Sequence, residues 1–198
     1  MAASRGRKEL PAHVRPSCAP AIWMVVPLLL PLLGGCVTIE GRVAADGSGS
    51  FVMRYKVPSD ATEFFERRQF SSPHVFVDSV KINENLDAEV HAHFDDVTQL
   101  PTAPGFHDLT VTRGTDPEAP SLTFVIHRIH VGTADKNAPG PEITVTLPGA
   151  VREANHRADV SGNRVTWRLS LDEYMRDPET TVSVRWTPPA PARAGKRA

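Results

Sequence analysis

Apolar and polar residues alternate in at least four segments, turn residues stand between those segments, and a single stretch carries helical spacing. These observations predict an α+β fold: a β-rich, mostly antiparallel sheet of about seven to nine strands, with one face packed by a short amphipathic helix. The 18 prolines and 13 glycines of the 198-residue chain are scattered, which argues against a long helical bundle. Hydrophobic residues make up 40% and charged residues 23%, an ordinary globular balance for one domain with accessory segments. With 22 basic and 23 acidic residues the formal charge is -1, so the chain lacks the basic field that a nucleic-acid binder needs.

Arg5, Arg7, Lys8 and Arg15 precede a mostly apolar stretch over residues 19–33, the layout of a signal peptide. That stretch is about 15 residues long, shorter than the roughly 20 that a spanning helix needs. Pro20, Pro27 and Pro31 interrupt it, so no permanent membrane span is expected. The run ends in Leu33, Gly34, Gly35 and Cys36, which resembles the bacterial lipobox: an aliphatic residue, two small residues that enter a peptidase groove, and a cysteine whose thiol takes a diacylglyceryl group. By that resemblance residues 1–35 are removed and Cys36 becomes a lipidated N-terminus anchored in a membrane. The alternative is a soluble exported protein cut near Gly35. In a cell with two membranes, Val37 after the cysteine resembles the pattern directed to the outer one. Cys18 lies in the removed segment, so the mature chain holds no pair for a disulfide. The 163 residues from Cys36 carry 18 basic and 22 acidic side chains, a charge of -4. Acyl chains contribute about 0.8 kcal/mol per buried methylene, so several on one cysteine hold the domain without other contacts.

The domain is expected over residues 36–186. A first strand is predicted over residues 38–43, and Asp46-Gly47-Ser48-Gly49 turns it into a second, where Phe51, Met53, Tyr55 and Val57 alternate with Arg54 and Lys56. Over residues 59–70 the period becomes helical: Asp60 with Glu63 suits a capping box, and Ala61, Phe64 and Phe65 share a face that should lie on the sheet. Further strands are predicted over residues 75–82, 88–94, 108–113 and 122–131. Ile143, Val145 and Leu147 mark the next. Ser161-Gly162-Asn163 then turns into the strand of Val165, Trp167, Leu169 and Leu171, and Val182, Val184 and Trp186 mark the last. A short helical turn fits residues 171–176, with Pro178 ending it. The tail over residues 187–198 has three prolines and a basic finish and is expected to be disordered.

The opening Gly35-Cys36-Val37, followed by Ala45-Asp46-Gly47-Ser48-Gly49-Ser50 and a strand, resembles the start of the LppM family of bacterial lipoproteins. The segment from Val145 to Val151, then Glu153-Ala154-Asn155 and Ser161-Gly162-Asn163-Arg164-Val165-Thr166-Trp167, is similar to the same family's strand, turn and tryptophan-bearing strand. The resemblance implies a cell-envelope domain with a mixed α/β fold similar to lipid-binding modules, and carries over no catalytic residue. The hydrophilic C-terminus departs from members that end in a membrane helix.

His91, His93 and Asp95 fall on one face of a strand, about 7 Å apart in succession, and would share a metal ion if a fourth group approached. The competing reading is a solvated face, since Val90, Ala92 and Phe94 make the opposite side the core. His127 and His130 differ in strand parity and cannot chelate together locally. There is no Gly-x-Ser-x-Gly elbow, no phosphate-cradling glycine loop followed by lysine, and the mature cysteine is the lipid site. Capping explains Asp172 and Glu173 better than acid-base chemistry does. Neither an enzyme nor a cofactor is expected.

Phe51, Met53, Tyr55, Phe64, Phe65 and Trp167, together with Phe70 and Trp186, are the residues expected to line a space for an acyl chain, if one exists between sheet and helix. Taken without the family resemblance, the same residues are better explained as the filled core that every one-sided sheet needs. The expected role is a lipid-anchored envelope protein that binds an envelope lipid or glycolipid. The alternative is a scaffold that docks another envelope protein through a sheet face or edge.

Overall fold

The computed structural model describes residues 37–127 and 139–188. Residues 1–36, with Leu33, Gly34, Gly35 and Cys36, residues 128–138, with His130 and the end of the strand expected over 122–131, and residues 189–198 lie outside the described residues.

Strand β1 (Thr38–Val43) turns back into β2 (Gly49–Lys56), pairing Thr38 with Arg54 and Val43 with Gly49. The Asp46 carboxylate closes that turn by accepting from the Ser48 amide and hydroxyl, and Gly47 supplies the φ of 98° that the turn requires. Helix α1 (Glu63–Gln69) follows, then β3 (Val75–Ile82) and β4 (Asp87–Phe94). Two 3-10 turns, Val97–Thr102 and Pro104–Phe106, lead into β5 (Leu109–Arg113) and β6 (Ser121–His127). After the undescribed residues come β7 (Pro139–Thr146), β8 (Val151–Ala154), β9 (Asp159–Ser161), β10 (Arg164–Ser170), helix α2 (Leu171–Arg176) and β11 (Glu179–Trp186).

The strands form two sheets, one of seven in the order β3-β4-β2-β1-β7-β10-β9 and one of four in the order β5-β6-β11-β8. The α+β class and the antiparallel pattern hold, but the expected single sheet is two sheets facing each other, and β1 pairs with β7 in parallel. The short strands β8 and β9 escaped the sequence reading because neither buries a side chain fully. Alternation then explains the core. Phe51, Met53 and Tyr55 of β2, Val165, Trp167 and Leu169 of β10, and Val182, Val184 and Trp186 of β11 are all buried between the sheets. Burying a side chain of that size contributes about 1.5–3 kcal/mol.

Helix α1 departs from expectation twice. Its cap is Thr62, whose hydroxyl accepts from the Phe65 amide at 3.2 Å, and the helix therefore starts three residues after Asp60. More consequentially, Phe64 is 74% and Phe65 54% exposed, while Glu66 is buried. The phenylalanines do not lie on the sheet because the Glu66 carboxylate takes the inward face, accepting a hydrogen bond from the buried Tyr55 hydroxyl. Phe70, the residue after the helix, is the one that packs inward, 5.9 Å from the Tyr55 ring and 5.4 Å from that of Phe106. Arg67 binds the helix to β3 by donating to the carbonyls of Val77 and Asp78, where β3 departs from regular pairing. Helix α2 matches its predicted range, with the Ser170 hydroxyl accepting from the Glu173 amide.

Candidate functional site

The two sheets do not fill the space between them. At the end where β1 and β7 begin they enclose an apolar cavity of about 280 Å³. Its floor is the inner face of the large sheet: Ile39 and Gly41 of β1, Phe51, Met53 and Tyr55 of β2, and Ile143 and Val145 of β7. Register explains this grouping, because Ile39 pairs with both Met53 and Ile143, and Gly41 with both Phe51 and Val145. Leu109 of β5 with Phe124 and Ile126 of β6 form the roof. The inner end is closed by Val43, Phe94, Val97 and Leu100, all buried.

Gly41 sits at the centre of the floor. A Cβ added there would meet nothing nearer than the Thr144 carbonyl oxygen at 3.8 Å, so the missing side chain is part of the cavity's volume. Phe106 stands edge-on to Phe51, with ring centres 5.3 Å apart and planes at 84°, and gives one wall a rigid aromatic surface.

The lining becomes polar and less buried towards the start of β1. Val37, His107, Asp108, His127 and Tyr174 meet there. His107 donates from Nδ1 to the Pro104 carbonyl at 2.7 Å and has Nε2 3.0 Å from Asp108. His127 lies 3.0 Å from Glu179 through Nδ1 and 2.9 Å from the Thr110 hydroxyl through Nε2. A polar rim around an apolar interior suits an amphipathic ligand. Tyr55 lines the cavity with its ring while its hydroxyl is committed to Glu66; burial first, and then the adjacent carboxylate, push its phenol far above the ordinary value, so it stays un-ionised.

Of the residues singled out from sequence, Phe51, Met53, Tyr55 and Phe70 line the cavity, whereas Trp186 is buried away from it. Phe64 and Phe65 are on the surface instead, for the reason given above. Trp167 is wholly buried but belongs to the filled part of the core, donating from Nε1 to the Asn155 carbonyl at 3.0 Å. Gly41, Phe106 and Phe124 escaped the sequence reading: they come to the cavity from separate elements, and nothing local marks which inward residues face a gap.

His91, His93 and Asp95 do not converge. His91 bonds Glu89 at 2.6 Å, His93 bonds Asp78 at 2.9 Å and stacks on Phe76, and Asp95 bonds His74 at 3.1 Å. Among the described residues no group of three or more His, Cys, Asp and Glu side chains is placed to hold a metal ion. Among them, too, no helix is long and apolar enough to cross a membrane.

Fold and site together define a two-sheet α+β domain with an apolar, polar-rimmed cavity at one end. No protein-family model and no curated protein sequence matches the chain. Its architecture is similar to that of the folded domain of the LppM protein of Mycobacterium tuberculosis, solved by NMR, with a TM-score of 0.50 over 79% of this chain and 91% of that one. At 18% identity the likeness is one of fold, and the chain has an LppM-like fold.

Proposed function

We propose that this protein is a non-catalytic, lipid-anchored protein of the bacterial cell envelope, which holds an acyl chain of an envelope lipid or glycolipid between its sheets. The observation that carries the reading is the apolar cavity with its polar rim beside Val37. Ligand pockets run from about 300 to 1,000 Å³, so a cavity of 280 Å³ suits one chain with its headgroup left at the rim rather than an entire glycolipid. The lipobox-like Leu33-Gly34-Gly35-Cys36 supports the anchor, and the LppM-like fold supports an envelope role. Val37 after the cysteine fits placement in an outer membrane where the cell has one.

Mass spectrometry of non-covalent organic extracts tests the reading, comparing the full-length protein purified from a bacterial envelope with its Gly41→Leu variant. A Cβ there makes only ordinary contacts, 3.8 Å from the Thr144 carbonyl oxygen and 3.9 Å from that of Ser50, and the rest of a leucine is expected to occupy the cavity. The expected result is about one lipid per wild-type chain and none in the folded variant. Lipid-free wild type, or the same lipid in both, sinks the proposal and leaves the scaffold reading, in which another envelope protein docks on a sheet face or edge. Edge pairing has little room at two of the edges, because β9 is three residues long and Arg67 already caps carbonyls of β3.

A further inference from the structure

We infer that the first turn of α1 is a membrane-docking element: Phe64 and Phe65 enter the bilayer interface beside the lipid anchor and hold the cavity mouth against the membrane. This rests on the reading that Cys36 is lipidated. The helix is inverted, since it buries a glutamate and exposes two adjacent phenylalanines, the two most exposed large apolar side chains among the described residues. An amphipathic helix in a membrane interface is arranged in that way, with its apolar face about 5–10 Å into the headgroup boundary.

Strand register places this face next to the anchor. Thr38 pairs with Arg54, so one residue further out Val37 lies level with Tyr55 on the neighbouring strand. Tyr55 in turn is bonded to Glu66 of α1. Cys36 is one peptide beyond Val37, about 3.8 Å between Cα atoms, which leaves no linker between a lipidated cysteine and this end of the domain. The domain must therefore sit on the membrane by the end where β1 starts, β2 finishes, α1 lies and the cavity has its polar rim. Arg67 fixes the helix to β3, so the phenylalanines and the mouth move as one body. The surrounding charges, Asp60 and Glu63 against Arg67 and Arg68, balance, and the attraction is apolar rather than electrostatic.

The test uses the full-length lipoprotein in phosphatidylcholine–phosphatidylglycerol vesicles, with a nitrobenzoxadiazole label on Phe64→Cys or Phe65→Cys and a nitroxide lipid as quencher. Ala45→Cys, in the exposed turn at the far end of β1, is the control. Vesicle-bound protein should show a blue-shifted label and about threefold or greater quenching at both helix positions relative to Ala45→Cys, unchanged by high salt. Equal, weak quenching at all three positions on vesicle-bound protein overturns the docking and leaves the anchor intact. Protein that does not float with vesicles and carries no lipid on Cys36 overturns both.

Discussion

Two regions of the space between the sheets are built from the same kind of alternating strand and end differently. Where β10 faces β11, Val165, Trp167, Val182 and Val184 are exposed by 1% or less and the interior is filled. Where β1 and β7 lie under β5 and β6, an equally regular alternation encloses a cavity. The difference is side-chain volume and its fixing. An indole spans the gap on β10 and is locked by its bond to Asn155, whereas β1 presents Ile39 and Gly41 at the corresponding depth. Period two sets which side chains point inward; their sizes decide whether they meet.

The largest effect that tests this contrast is at the filled end. Trp167→Ala removes a fully buried indole and should cost about 3–5 kcal/mol, lowering Tm by roughly 10 °C in calorimetry. A loss under about 1 kcal/mol would mean that this end is not close-packed. On the side of the cavity away from β10, Tyr55→Phe leaves the buried Glu66 carboxylate without its hydroxyl donor. We expect a loss of about 1–3 kcal/mol in urea unfolding, recovered in part by the double variant Tyr55→Phe/Glu66→Leu, since removing both partners strands neither. No recovery would show that Glu66 is held by something other than Tyr55. At the open end the sign reverses. Gly41→Leu fills vacant space and should raise stability by about 0.5–2 kcal/mol while abolishing lipid retention.

These regions also show how far the sequence was legible. Strong alternation located β2, β10 and β11, and turn chemistry located the Asp46-Gly47 and Gly162-Asn163 hairpins. Phe51, Met53 and Tyr55 were legible as inward residues for the same reason. What alternation cannot carry is the partner across the gap: the second sheet and Phe106 reach the cavity from distant parts of the chain. Helix α1 misled for a sharper reason. Apolar residues at helical spacing normally face the core, but here one buried Tyr55–Glu66 hydrogen bond turns the helix and sends Phe64 and Phe65 outward.

The smallest effect comes from the outer face of the same large sheet, where water rather than a cavity is the neighbour. Glu89 accepts from His91 at 2.6 Å and from Arg54 at 2.7 Å, and these bonds, His91's first, hold its carboxyl at about 2 against an ordinary 4.5. A depressed folded value means that the charged form is favoured by folding. The contribution is therefore complete above the unfolded value and is lost as pH falls from 4.5 through about 2. Glu89 is substantially exposed, so the effect stays within the small range of surface ion pairs. Urea midpoints of wild type and Glu89→Gln should differ slightly at pH 6 and converge by pH 2. The Gly41→Leu difference, which is burial and not charge, should remain through the same titration. If both differences vanished together in acid, the cavity end would be losing its structure as a unit, and the contrast between a filled and an open region would be one of local stability rather than of packing volume.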